Sequence, residues 1–445
     1  MNLNFLLFLF FFLLWIPASF GENQALRFNF SECANYALKN NAQIHASSYD
    51  INLAKGKYQE ANPKGIPVIK YEHKIAPVPQ DVDNAAGSFF DGDMSVFNSF
   101  KIELGAPIYT FGKLATAKDL AQLGIDASWF TLQKTKDDIV LKIYQIYQGI
   151  LLAGELKGLA QQAEDSIQKK LEQIQQSKVV DQLELLKLKV AQYEVQRKVE
   201  ETNKKESLAW AALRVQLGLE DDQKLSLKDS SLIPVNFKLE PLEIYLAKSR
   251  DYLPQYKLLE AGVRAKSKKL TLDKKEYLPN LGYGGFFDIG RAPNITGDED
   301  DSSFTNPFNY TKAGGGFQLK GELDFNKTSA KVKQSQADFL KTSYQKSAAI
   351  RGLELDIKKS YLEVIEAKNL SDRARDEKKA ARQMVFLTKS NLDIGLGEKK
   401  DYLDALQSYL VFQGREFESI YNYNIAVSEL KTRIGEFHNP DEERY

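Results

Sequence analysis

The chain has 445 residues, enough for two or three ordinary domains. Its 60 basic and 60 acidic side chains cancel, so no strong global field draws it to nucleic acid or to an acidic lipid surface. Three histidines and one cysteine are too few for a clustered zinc or thiol-redox site, so neither a metal nor another cofactor is expected, and Cys33 reads as a small packing residue.

In chain order, the first feature is the apolar run FLLFLFFFLLWIPASFG, with Pro17 and then small residues at Ser19 and Gly21. It reads as a signal peptide over residues 1–21, with the mature chain starting near Glu22. The run is short for the ~20 residues of a spanning helix, and it lacks a preceding Lys or Arg. No later stretch is apolar enough to cross a membrane as a helix, so any membrane insertion has to use strands.

Residues 31–61 read as helix, ending before Pro63. Two candidate strands follow, IPVIKYEHKIAP (66–77) and SFKIELGAPIY (99–109). In the second, Phe100, Ile102, Leu104 and Ala106 alternate with Lys101, Glu103 and Gly105, the period of a strand with two different faces. After Gly112 the composition turns to helix formers, and no proline occurs between 108 and 233. A helix from Leu114 to about Ser177 would be ~90 Å long. Strand-like segments recur at 278–290 and 314–325, with an acidic loop (Asp298 to Asp301) between them. A second proline-free tract, 308–439, ends in a helix with coiled-coil spacing at Leu403, Leu406, Leu410, Phe417, Ile420, Val427 and Ile434. Gln413 and Asn424 fall in the same seam.

The two halves align with each other. Pro67 and Tyr71 match Pro279 and Tyr283 at a separation of 212, and Glu184, Leu186 and Gly218 match Asp401, Leu403 and Gly435 at 217. The expected organisation is therefore two repeats, 22–230 and 231–445, each reading helix, strand, loop, strand, long helical hairpin. Four strands cannot close a barrel, and lipid does not tolerate open strand edges. Three copies would supply enough strands for a channel. Aromatics flanking the strands (Tyr71, Tyr109, Phe111, Tyr283, Phe286, Phe287 and Phe325) suit interfacial girdles.

Three segments resemble the TolC-like outer-membrane efflux proteins. ALKNNAQIHASSYDINLAKGKYQEA is similar to that family's N-terminal helix, with Ala42 where a proline is common. PIYTFGK (107–113) is similar to its Pro-aliphatic-aromatic-x-Gly-Gly-basic turn, and residues 395–435 are similar to its closing helix. The resemblance implies a mainly α protein with a membrane β-barrel. Each internally duplicated protomer would give four strands to a trimeric 12-stranded barrel, continued by a long α-helical coiled-coil tunnel in the periplasm. It implies passive conduction across the outer membrane of a Gram-negative-type bacterium, with no catalysis. The implied partners are outer-membrane lipid, a periplasmic adaptor and an inner-membrane pump or exporter.

Pro107, Gly112 and Asn326 are the expected strand-to-helix hinges, Asn326 supplying the left-handed conformation that Gly supplies in the first half. Gly395, Leu396, Gly397, Val179 and Val180 are the expected tip turns and adaptor contacts. Asp401 and Asp404 are the candidates for acidic rings at the periplasmic constriction. The competing reading makes Asp401 the cap of the last helix and Asp404 a solvated first-turn acid. The alternative for the whole chain is a periplasmic or secreted coiled-coil scaffold.

Overall fold

The computed structural model describes residues 26–63, 66–175, 182–296 and 305–436. The segment expected to be a signal peptide (1–21), Val179, Val180 and the acidic stretch 298–301 lie outside the described residues.

Strand β1 (Leu26–Phe28) leads into α1 (Phe30–Asn40). Asn29 starts that helix with a capping box: its side chain accepts from the Glu32 N–H, and the Glu32 carboxylate accepts from the Asn29 N–H, each at 2.8 Å. Helix α2 (Ala42–Glu60) is separated from α1 by a single residue, Asn41, so the single helix expected over 31–61 is two. Asn41 makes the break. Its backbone is extended, its side-chain oxygen accepts from the N–H groups of Gln43 and Ile44 at 2.9 and 3.3 Å, and its amide donates to the Gln216 carbonyl at 2.8 Å. A side chain that caps a new helix ends the old one without a proline.

There follow β2 (Val68–Pro79), α3 (Ala85–Asp91), β3 (Met94–Tyr109), α4 (Lys113–Gln175), α5 (Gln182–Leu217) and β4 (Leu225–Leu227). The second half contributes α6 (Leu242–Tyr252), α7 (Pro254–Lys274), a 3-10 turn (Lys275–Tyr277), β5 (Asn280–Arg291), β6 (Tyr310–Lys320), α8 (Phe325–Asp393) and α9 (Lys399–Arg433). Strand β6 ends at Lys320, short of the expected 325, because Lys320 already pairs with Asn280, the first residue of β5. Beyond it no partner strand remains. Among the described residues no helix is long and apolar enough to cross a membrane.

The chain forms two compact units, each drawing on both halves of the sequence. One comprises the residues up to Ser47, Leu132–Pro254 and those from Gly352 on. In it, ion pairs and hydrogen bonds link the helices in series. Lys157 pairs with Glu206 (α4 to α5), Gln145 donates to Glu429 (α4 to α9), and Lys378 pairs with Glu416 (α8 to α9). One core cluster gathers Ile357 and Val364 of α8, Tyr423, Val427 and Leu430 of α9, and Tyr245 of α6. Cys33 is fully buried here, and burial, with the neighbouring Glu32 charge, pushes its thiol up to about 12, leaving it protonated and inert.

Helices α5 and α9 end alike. The N–H groups of Leu219 and Glu436 bond back to the carbonyls of Arg214 and Lys431, both at 2.9 Å, around left-handed Gly218 and Gly435 (φ 71° and 74°). A Cβ on Gly218 would lie 2.7 Å from the carbonyl oxygen of Asn40, the last residue of α1. One on Gly435 would lie 3.0 Å from the carbonyl carbon of Tyr252, the last residue of α6.

The other unit, Ser48–Thr131 and Gln255–Arg351, holds a four-stranded sheet in the order β2-β3-β5-β6, antiparallel at every step. Its helical segments are also linked in series. Lys118 of α4 lies over the Tyr58 ring of α2, Asp119 of α4 pairs with Lys268 of α7, and Lys266 of α7 pairs with Asp338 of α8.

Candidate functional site

The sheet has two chemically opposed faces. Residues Glu72, Lys101, Asp288 and Lys312 pair across all four strands in one hydrogen-bonded row, alternating in charge. The next residue on each strand points to the other face, and there the matching row is His73, Phe100, Ile289 and Thr311. Further along that second face lie Ile69, Tyr71, Phe287, Phe317 and Leu319, with Tyr71 78% and Phe317 81% exposed. So large an apolar exposure on a sheet needs a covering of lipid or protein. On the charged face Lys101 pairs with Glu103 at 2.5 Å and Lys74 with Glu72 at 3.2 Å. The sequence suggested Phe286 as a girdle residue; it sits instead on the charged face, against Gly314, where a Cβ would come within 2.9 Å of its ring.

At the first strand-to-helix bend, Pro107 occupies the stretch of β3 beyond the end of β2, whose first residue Val68 pairs with Gly105. Its missing N–H therefore costs no bond on that side, and the β3–β5 register shifts between Pro107 and Tyr109. Phe111 and Gly112 are both left-handed, φ 51° and 76°. The Phe111 ring packs edge-on to Tyr109 at 4.8 Å, a contact that accompanies this unusual backbone for a non-glycine residue. Helix α4 then starts at Lys113, and the Thr110 hydroxyl reaches forward past the bend to accept from the Leu114 N–H at 3.2 Å. Lys275 fixes the bend from the second half. Its Nζ donates to the Gly112 carbonyl at 3.0 Å and to Thr116 Oγ1 at 2.8 Å.

The second bend is built differently. Asn326 is not left-handed; it lies in the first turn of α8. Asp324 caps that helix, its carboxylate accepting from the Lys327 N–H at 2.8 Å, so the turn needs no glycine substitute. A charged cluster stands nearby. Asp273 is fully buried and bonds Lys269 at 2.5 Å and the Ser335 hydroxyl, while Lys331 lies 3.7 Å away and pairs with Glu276. Burial pushes the Asp273 carboxyl up, but the bonds from Lys269 and Ser335 and the charge of Lys331 outweigh it and hold the group below its ordinary value.

In the first unit, α8 and α9 meet at a tight turn. Gly395 is left-handed, and the N–H groups of Leu396 and Gly397 both bond to the Asn391 carbonyl, at 2.8 and 3.0 Å. The turn presents Leu396, 81% exposed, at its apex. The N-cap of α9 is Glu398, so Asp401 is not the cap. Asp401 is the third residue of the helix, where its charge suits the N-terminal dipole. Asp404 lies one turn on along the same side, and both are exposed. The charged sheet face (Glu72, Asp288 and Lys312 in particular) was not singled out from sequence, although the alternation on β3 already pointed to it.

Residues 253–436 match the family model described as outer membrane efflux protein. No curated relative matches the sequence. Three solved structures share the fold over most of their length. The Campylobacter jejuni CmeC outer membrane channel has a TM-score of 0.71 and 16% identity, covering 93% of this chain and 87% of its own. The open-state Neisseria gonorrhoeae MtrE outer membrane channel has 0.73 and 12%, covering 93% and 91%. A membrane protein from Pseudomonas aeruginosa has 0.73 and 17%, covering 91% and 93%. The second half of the chain thus carries the match to the outer membrane efflux protein family, and the chain throughout shares the fold of these outer-membrane channels.

Proposed function

We propose that three copies of the chain close a 12-stranded barrel and a periplasmic helical tunnel, forming a passive duct. An inner-membrane pump or exporter would drive substrates into it through a periplasmic adaptor. The observation that carries this reading is the sheet. It has a charged face, an apolar face and two strands, β2 and β6, each bonded on one side only among the described residues. In lipid such edges must pair, and four strands are too few to close on themselves. Helices α5 and α8 likewise stand at the two ends of the contact series in their unit. Helix α5 leaves Leu186, Val190 and Tyr193 exposed at coiled-coil spacing. A neighbouring copy offers the partner both edges lack. On this reading the charged face lines the lumen. Residues 22–230 and 231–445 are tandem repeats, Pro107 and Gly112 form the barrel-to-tunnel hinge, and the Gly395–Leu396–Gly397 turn meets the adaptor. The mass of the detergent-solubilised particle should be that of three chains; a stable monomer with full strand content would sink the shared barrel.

Asp401 and Asp404 would then contribute six carboxylates to one narrow opening, raising the local cation concentration. Changing both to Asn keeps their size and removes the charge. The double variant should assemble as trimers whose cation preference in a planar bilayer is lost, most visibly at low salt. Unchanged selectivity would leave both residues as helix-start acids.

A further inference from the structure

The four long strands carry nine charged residues, and eight of them share one face; the exception, Arg291, stands at the end of β5. That face is not neutral. Five lysines (70, 74, 101, 312 and 320) stand against three carboxylates (Glu72, Glu103 and Asp288), a surplus of two positive charges per chain. The acids are already engaged: Glu103 with Lys101, Glu72 with Lys74, and Asp288 in the row between Lys101 and Lys312. Among the described residues Lys70 and Lys320 form no ion pair, and Lys312 lies over the Tyr310 ring, 4.5 Å from its centre.

We propose that the barrel lumen is a cationic filter, opposite in sign to the acidic helix turn, and that it favours solutes bearing a carboxylate, phosphate or sulfate group. The proposal rests on the channel reading. Three-fold repetition makes the surplus six positive charges around one water-filled bore. Walls of low dielectric focus such a field, so anions are enriched in the bore when ionic strength is low. At about 0.1 M salt the screening length is ~10 Å, comparable with the reach of a lysine from a barrel wall, so the preference should weaken but survive. Lys70 and Lys312 stand across from Glu103 and Asp288, but neither forms a direct ion pair among the described residues, and with three acids shared among five lysines the face keeps its positive surplus. Lys101 and Lys74, held by Glu103 and Glu72, contribute little.

The test compares wild type with Lys70→Gln/Lys312→Gln and with Lys70→Arg/Lys312→Arg, as purified trimers in a planar bilayer under a potassium chloride gradient at low ionic strength. The chloride-to-potassium permeability ratio should fall at least about twofold in the Gln pair and hold in the Arg pair, since only the Gln pair loses charge. An unchanged ratio in conducting Gln trimers overturns the filter while leaving the channel standing. Absence of conductance in wild-type trimers would remove the channel reading, and this inference with it. If the Gln pair does not assemble, Lys320→Gln, at the end of β6, tests the same surplus with a smaller shift in the same direction.

Discussion

Gly112→Val is expected to remove most of the trimer from detergent extracts, with the protein recovered as monomer or degraded. Two independent costs meet at this residue. Its φ of 76° is one that a β-branched side chain strongly disfavours, at about 1–3 kcal/mol. Its Cβ would also come to 2.8 Å from Lys275 Nζ. The lysine would have to withdraw, giving up its bonds to the Gly112 carbonyl and to Thr116, each to a charged donor and worth about 1.5–3 kcal/mol. Gly112→Ala should be intermediate, and Gly112→Asn milder still, because Asn tolerates the left-handed region. Gly218→Ala is not a neutral comparison, since its Cβ would collide with Asn40. Gly154→Ala serves instead: a Cβ there, inside α4, meets nothing within 4 Å. Trimer yields of Gly112→Val equal to those of Gly154→Ala would show that the bend does not depend on glycine.

The first bend was legible in the sequence because its chemistry is local: a proline, a glycine and a change of period within seven residues, 107 to 113. The second bend was misread for the same reason. Its sequence offers no glycine, so the left-handed role was assigned to Asn326, whereas the turn is capped by Asp324, beside a charged cluster in which Ser335 bonds Asp273, 62 residues earlier. Strand ends failed likewise. Where β6 stops depends on where β5 begins, and Glu322, Leu323 and Asp324 contain nothing that reports it. The break at Asn41 was missed because the chain there lacks proline, and the capping bonds that make it are read only from coordinates. The alternation on β3 was plain. Its consequence, one charged face across four strands, required the register of every neighbouring pair.

The two polar residues in the closing helix's seam, alike in the sequence, should behave in opposite ways when made apolar. Asn424 is fully buried; its amide donates to Gln148 Oε1 at 3.0 Å and to the Ile233 carbonyl at 2.9 Å, and its oxygen accepts from the Val235 N–H at 2.9 Å. It thereby joins α4, α9 and the connector between β4 and α6, and the connector's Val235, Phe237 and Leu239 pack against the core beside it. Asn424→Leu keeps the volume but strands the buried Gln148 oxygen, at about 1–3 kcal/mol, and leaves the part-buried Ile233 carbonyl and Val235 N–H without their partner at a smaller cost. The connector should come loose before the helices do. Limited proteolysis of the variant should therefore cut within residues 228–241 at a protease level that leaves wild type whole, and its heat-induced loss of trimer should begin at lower temperature. Gln413 is the counterpart: its Oε1 is buried with no hydrogen-bond partner among the described residues. Gln413→Leu removes an unsatisfied acceptor and should leave the connector resistant and the trimer at least as heat-stable as wild type. If both variants were cut alike, the connector would be held by packing alone, and the Asn424 bonds would contribute nothing beyond what any well-fitted seam residue provides.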